Sequence, residues 1–552
     1  MGKKLILALG RHAGTECFGT GASPGAELLF SSLEEALRRR CSVVRVPPYY
    51  HAVDVRRSLE IAIDVLAKVD ACIFSLPPRP VNLDAFFVVR AEMGRRIPFI
   101  YMPLGEFPRG AWFYRHIYQH LRAEDVILFS SSADKAIHDA LVASTPAHVA
   151  IAPLGIRVAR FTTTATTRAT TRRYLGVQPD EVVFIYHGRV TEEKNVHGAI
   201  MMFRRIAREW PRTRLWIVGP VDGEVARSLG PRTVSRLPKS RLTRIFEQLI
   251  SADGLEERIA FWGALPPEAL PEILAAADVS VNLTLNGDEN FGYSTVEAMA
   301  AGLPVIGTDW GGLKDTIEDG VTGFLVPTFV TPIGVGLDYV LAHRSALRLL
   351  QDERNRKIMG ARARRRAGRA FTLDHFANTI IAQVHARLSS PDARTDVPHA
   401  WSPLGERLAK TYSTAISQPA APTLPLSVPP SATLFRDHPL MREVLRSYVS
   451  SVRSPSADLG AMMFLLTDLF HVFGRNLRSS DPRHPGPVEL VGAVDRALVS
   501  ILKERGFLDR ASLIREAARR FDPRAIRAAL RRLSREGIIH QSTALAERRE
   551  LS

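Results

Sequence analysis

The chain has 552 residues, 46% of them hydrophobic and 24% charged, with a formal net charge of +16. That length is too great for one ordinary domain, and the balance of apolar and charged residues excludes a disordered or fibrous chain. Three widely spaced cysteines (Cys17, Cys41, Cys72) exclude a disulfide framework or a zinc pattern, and no run of about 18 apolar residues reads as a membrane span.

The arginine excess is spread along the chain. It fits an attraction for phosphates, nucleic acid or anionic lipid as well as a general arginine usage. An odd cysteine count fits a reducing compartment, so a cytoplasmic setting is expected. The apolar run Leu5–Leu9 after Lys3 and Lys4 is too short for a signal peptide and reads as a first strand.

Over the first 390 or so residues, short apolar runs alternate with helical patterns, the rhythm of α/β layering on parallel sheets. Strands are expected at Lys4–Leu9, Ser42–Val46, Ala71–Ser75, Pro98–Met102, Val126–Ser130 and Val149–Pro153, with helices such as Glu27–Arg39 and Asp54–Ala67 between them. A second series follows at Val182–His187, Leu215–Val218, Ile259–Trp262, Val279–Leu283, Pro304–Ile306 and Gly323–Val326. Two such series predict two doubly wound lobes, residues 1–160 and 161–390. The break falls in 155–180, where Phe161-Thr-Thr-Thr-Ala-Thr-Thr has no core-building pattern. Residues 391–433, rich in Pro, Ser, Thr and Ala, read as a linker. Residues 434–552 read as a helical domain.

Two segments carry chemistry. In Phe184-Ile-Tyr-His-Gly-Arg-Val-Thr-Glu-Glu-Lys-Asn, a buried strand ends at Gly188, and Arg189 and Lys194 lie in the loop before a helix that Asn195 can cap. Cations at the carboxyl edge of a parallel sheet can hold a diphosphate, Arg as a fork and Lys as a point charge. The second segment is Gly287-Asp-Glu-Asn-Phe-Gly-Tyr-Ser-Thr-Val-Glu-Ala-Met-Ala-Ala-Gly-Leu-Pro. It opens a helix, with Ser294 and Glu297 spaced as a capping box and Gly302 and Pro304 at its end. A helix N-terminus favours phosphate. Glu289 and Glu297 straddle Phe291-Gly292 and can accept hydrogen bonds from sugar hydroxyls. Taken singly, Arg189 and Lys194 read as two solvated loop cations, Glu297 as a cap and Glu289 as a solvated loop residue.

In order and spacing, these segments resemble the retaining GT-B glycosyltransferases of family 4. Also matching are Gly311-Gly-Leu, Asp319-Gly-Val-Thr-Gly-Phe-Leu-Val, Phe261-Trp-Gly, Ala277-Asp-Val, and Pro153-Leu-Gly-Ile with Phe161. The resemblance covers residues 150–390 closely and 1–150 in layout. It implies two Rossmann-like lobes facing a cleft, with a nucleotide-diphosphate sugar as donor substrate, no tightly bound cofactor or metal, and an unidentified acceptor. Arg189 and Lys194 would bind the diphosphate. Glu289 and the backbone of Asn290, Phe291 and Gly292 would hold the sugar, with Gly188 and Ser294 nearby. Glu297 would meet the ribose, and Gly263 to Leu265 the base. The first lobe departs from the pattern, because Phe99-Ile-Tyr-Met-Pro-Leu-Gly-Glu-Phe lacks the His many members carry there. Glu106 or the Gly105 backbone stands in its place. The glycine-rich loop after strand one, which includes Gly14, either approaches the diphosphate, with His12 or Thr15 donating, or needs its glycines only for its turns; His12 and Glu106 are the acceptor-side candidates.

The tail has its own pattern. Val488–Arg505, Ser512–Phe521 and a helix opened by Asp522-Pro523 and ended by Gly537 precede a strand at Ile538-Ile539. This resembles a winged helix-turn-helix, with Arg524, Arg527, Arg531, Arg532 and Arg535 on the third helix. Docking to a protein partner or a second copy, nucleic-acid binding and a purely structural role all stay open. Leu459–Phe473 reads as core or subunit interface. The competing view of the whole chain is a weakly active or inactive GT-B scaffold whose tail binds a protein or DNA.

Overall fold

The computed structural model describes residues 5–10, 24–46, 55–76, 80–103, 117–221, 231–286, 289–331, 334–389, 398–407, 463–466, 492–505, 507–535 and 539–542. Cys17, the first-strand loop residues His12, Gly14 and Thr15, and Gly105, Glu106 and Gly537 lie outside the described residues.

The first lobe is a six-stranded parallel sheet built from β1 (Ile6–Gly10), β2 (Ser42–Arg45), β3 (Ala71–Leu76), β4 (Phe99–Pro103), β5 (Val126–Phe129) and β7 (His148–Ile151), with β6 (Val142–Ser144) outside it. Its strand order is β2-β1-β3-β4-β5-β7. The second lobe repeats the theme with β8 (Val182–His187), β9 (Thr213–Val218), β10 (Ile259–Gly263), β11 (Val279–Asn282), β12 (Val305–Thr308) and β13 (Gly323–Val326), in the order β10-β9-β8-β11-β12-β13. Central strands such as β5 and β8 are apolar along nearly their whole length and buried, and β11 is buried throughout although Ser280 and Asn282 alternate with its valines. This is the signature of a parallel sheet covered on both faces by helices. Every expected strand is present within a few residues.

The second sheet's order reverses direction between β8 and β11, which pair directly at Val279 with Phe184 and Ser280 with Ile185. At such a switch point, adjacent connections leave the sheet on opposite faces and open a crevice beyond the carboxyl ends. The loops after β8 and β11 carry Arg189, Lys194 and Glu289. A hairpin, β14 (Thr328–Thr331) and β15 (Gly334–Leu337), follows β13.

The two lobes are tied in three places. The helix Leu373–Ser389 returns to the first lobe, where Arg40 donates to Asn378 Oδ1 at 2.5 Å and pairs with Asp374 at 3.0 Å. Strand β16 (Ala400–Trp401) pairs antiparallel with β6. Beside it, the Ser402 hydroxyl donates to Ala140 O at 2.6 Å, and Trp401 packs on Tyr118 at 5.3 Å. Residues 398–407 were expected to be linker; they are a docked strap, because their polar backbone finds an unpaired strand edge and their aromatic residues find an apolar seat. The third tie crosses the candidate site.

A second difference lies in the supposed break. Ala165–Tyr174 is a helix, capped by Thr164, whose side chain accepts from Thr167 N. In the tail, the helices Ala493–Arg505, Arg510–Ala518 and Pro523–Arg535 pack around Leu498, Leu502, Leu513, Ile526, Leu530 and Leu533. Asp522 Oδ2 accepts from Arg524 N and Ala525 N, as an N-cap does. The tail is not helical throughout. β17 (Met463–Leu466) lies between β18 (Phe507–Asp509) and β19 (Ile539–Ser542) in an antiparallel sheet. Its central strand thus comes from the Leu459–Phe473 segment. Among the described residues, no helix is long and apolar enough to cross a membrane.

Candidate active site

The loop after β8 is shaped by backbone close to the sheet. Gly188 has φ 141° and donates its N–H to Val218 O at 2.9 Å. Gly219 ends the neighbouring strand and donates to Gly263 O at 2.8 Å. A Cβ on Gly219 would lie 1.8 Å from Gly188 O, so only glycine allows these loops to touch. The Tyr186 hydroxyl donates to Arg189 O at 2.6 Å. Burial first, and the charge of Glu289 second, push this phenol above its ordinary range, so it stays a donor.

The β8 and β11 loops are stitched together. Asn195, in the left-handed region at φ 51°, caps the helix Val196–Glu209 by accepting from Gly198 N at 3.1 Å. Its amide donates to Leu283 O at 3.0 Å. Leu285 N donates to Glu193 O at 3.1 Å. This framework sets Lys194 Nζ 2.6 Å from Glu289 Oε2, with side-chain exposures of 18% and 8%. Residues 95 apart in sequence thus share one nearly buried ion pair. An ammonium has three N–H donors, and Glu289 takes one of them.

Glu289 is itself held. Its carbonyl accepts from Gly312 N at 2.7 Å, and Trp310 Nε1 donates to Asn286 O at 2.8 Å. The helix Tyr293–Ala301 begins after Gly292, which has φ 80° and makes no side-chain cap. The capping box expected of Ser294 and Glu297 does not form. Tyr293 is already helical, so both residues sit within the first turns. Ser294 Oγ accepts from Asn282 Nδ2 at 3.4 Å, and Glu297 Oε2 lies 3.1 Å from His187 Nε2. The N-terminus without a side-chain cap keeps its orphan N–H groups for an anion.

Across the crevice, the first lobe touches this loop. Ser130 Oγ donates to Asn290 O at 3.3 Å, and Ser132 Oγ donates to Asp315 Oδ1 at 2.6 Å. Lys194 thus pairs with Glu289, Asn290 touches the end of β5, and Ser294 and Glu297 meet Asn282 and His187 at the carboxyl ends of β11 and β8, while the Phe291 side chain is buried. Arg189 stands apart from these pairs, 60% exposed, with Glu193 at 4.0 Å. Gly263 ends β10 with φ 62°, two strands from Gly188, and Leu265 is partly buried behind it. His187 and Ser130 touch these residues, and Ser132 and Asp315 bridge the lobes, but none of the four was singled out from the sequence. A polar residue closing the apolar run of β8 was the one signal for His187. Among the described residues, no group of three or more His, Cys, Asp or Glu could hold a metal ion.

Residues 167–366 match the family described as Glycosyl transferases group 1. Both loops, from His187 to Asn195 and from Asn282 to Glu297, lie inside the matched residues, whereas Ser130 and Ser132 lie outside them. Over 241 residues the chain is 31% identical to D-inositol 3-phosphate glycosyltransferase of Geodermatophilus obscurus, covering 43% of this chain and 47% of that one. It is 30% identical over 193 residues to N-acetyl-alpha-D-glucosaminyl L-malate synthase of Bacillus anthracis, covering 35% and 42%. The chain thus spans less than half the length of these curated relatives. Anabaena Alr3699/HepE in complex with UDP superposes with a TM-score of 0.52 at 18% identity, over 69% of this chain and 100% of that one. Sucrose-phosphate synthase from Thermosynechococcus elongatus superposes at 0.50 and 19% identity, over 70% and 99%. At these identities the likeness concerns the fold, a GT-B-like arrangement of two parallel-sheet lobes, the second of which contains the matched residues 167–366.

A second cleft, of about 1390 Å³, lies at the opposite, amino edge of the second sheet and includes Arg168, Arg172, Asp278, Lys357 and Arg364. Three of its cations serve the fold. Arg168 and Arg172 both pair with Asp278 and donate to the carbonyls of Ala275 and Ala276, and Arg364 donates to Ala301 O.

Proposed function

We propose that the protein transfers a sugar from a nucleotide-diphosphate donor to an acceptor, with retention of configuration at the anomeric carbon. The observation that carries this reading is the Lys194–Glu289 pair at the switch point, beside a helix N-terminus with no side-chain cap. In it, the β-phosphate leaves the anomeric carbon and positive charge grows on the sugar ring. Lys194 and the helix N-terminus meet the charge of the departing diphosphate with groups already in place. Glu289 and the Asn290–Gly292 backbone hold the sugar hydroxyls, Glu297 the ribose, and residues 263–265 the base. Exposed Arg189 swings onto the diphosphate from the rim. The first lobe supplies the acceptor side. Both relatives bear the names of enzymes, one a glycosyltransferase and the other a synthase, which favours this reading over an inactive scaffold.

The experiment is a thermal-shift screen of the full chain against nucleoside diphosphates and nucleotide sugars. A ligand that binds only the folded state at about 100 times its Kd adds about 2.7 kcal/mol. One base is expected to raise the melting temperature by several degrees, and inorganic pyrophosphate by less. No shift with any nucleotide would remove the basis for the reading.

A further inference from the structure

His187 is the last residue of β8 and only 6% exposed. Its Nε2 lies 3.1 Å from Glu297 Oε2 across 110 residues of sequence. Its Nδ1 is buried with no hydrogen-bond partner. A neutral imidazole has one donor and one acceptor nitrogen. A carboxylate partner makes Nε2 the donor, and a bare lone pair at Nδ1 costs less than a bare N–H would. The pair is also asymmetric: the Glu297 side chain keeps 21% exposure while that of His187 keeps 5%. One carboxylate oxygen is held, and the group still reaches the crevice. A glutamate on its own rotates about three side-chain torsions, and a rigid donor on a sheet strand selects one arrangement among them.

We propose that His187 is a positioning residue for the nucleoside end of the donor: it holds Glu297 so that the carboxylate meets the ribose hydroxyls, which makes the site prefer ribonucleotides over deoxyribonucleotides. The proposal rests on the reading that Glu297 contacts the ribose. His187 touches no substrate; it acts through Glu297, as a partner behind a ligating group commonly does.

The test compares affinities of the full-length protein for the ribonucleoside diphosphate that gives the largest thermal shift and for its 2′-deoxy and 3′-deoxy forms, by titration calorimetry. The parent is expected to favour the ribo form over at least one deoxy form by roughly 10- to 100-fold, the range of a hydrogen bond to a charged group. Glu297→Ala is expected to abolish that preference. If it does not, the ribose reading of Glu297 is wrong and the proposal falls with it. His187→Val is expected to weaken the ribo form several-fold and leave the deoxy forms unchanged. His187→Gln, whose amide can donate from a similar position, is expected to restore most of the preference and also serves if the Val variant fails to fold. Preference lost in Glu297→Ala but intact in both His187 variants would overturn the proposal, as would an equal loss of ribo and deoxy affinity, the mark of a purely structural histidine.

Discussion

Lys194→Ala is expected to lower kcat/KM for sugar transfer by about 10²–10³-fold, the range found when one preorganised donor to a developing anion is removed. Its Nζ stands at the β8–β11 switch point, 2.6 Å from Glu289 and largely shielded from water. Charge in such a place is weakly screened. Lys194→Arg is expected to recover only part of the loss, because a planar fork does not occupy the seat of a compact ammonium. The same substitution removes a partner from a nearly buried carboxylate, so a stability cost of about 1–3 kcal/mol accompanies it. Circular dichroism and thermal melting separate the two effects: the variant should remain folded at assay temperature while turnover collapses. Turnover within about threefold of the parent would show that Lys194 does not serve the leaving group.

The largest effect on stability is expected far from the crevice. Arg90 and Asp125 are 1% and 0% exposed. The guanidinium donates to Asp125 Oδ1 at 2.6 Å, to Asp125 Oδ2 at 3.2 Å and to His120 O at 3.0 Å, and lies 3.8 Å over the Phe99 ring. Asp125 also accepts from Phe99 N and Arg122 N, each at 2.9 Å. The pair joins the start of β4, the start of β5 and the helix Pro80–Glu92. Burial pushes the Asp125 carboxyl up, and Arg90 pulls it back. Such a pair brings little net stability, yet losing one half strands the other. Asp125→Ala is therefore expected to cost about 3–5 kcal/mol, and to lower the melting temperature by roughly 10 °C at about 2–4 °C per kcal/mol. The double variant Arg90→Met, Asp125→Leu is expected to recover much of it. A loss under about 1 kcal/mol for Asp125→Ala, set against the range for a stranded buried charge, would contradict this.

The strands were legible in the sequence because their burial on both faces leaves apolar runs that no surface element imitates. Lys194 and Glu289 were legible because each lies just past such a run. The helix Ala165–Tyr174 was not. Ala-Thr-Thr-Arg-Ala-Thr-Thr-Arg-Arg-Tyr has no apolar stripe, since this helix is docked through the guanidinium groups of Arg168 and Arg172 on carbonyls and on Asp278. Hydrophobic periodicity is blind to that kind of attachment. Ser294 and Glu297 had the spacing of a capping box but lie two residues too late to act as one, because Gly292 in the left-handed region already starts the helix. Glu297 has His187 instead, a partner no local pattern could announce. The strap at residues 398–407 looked like linker because strand pairing by two residues leaves almost no trace in composition.

The most direct measurement is the position of a bound nucleoside diphosphate, the one chosen by thermal shift, in an experimental structure of the full chain. Its diphosphate is expected within hydrogen-bond reach of Lys194 Nζ and the first N–H groups of the helix Tyr293–Ala301, with the ribose at Glu297. A diphosphate seated instead on the amino edge of the second sheet, among Arg168, Lys357 and Arg364, would contradict it.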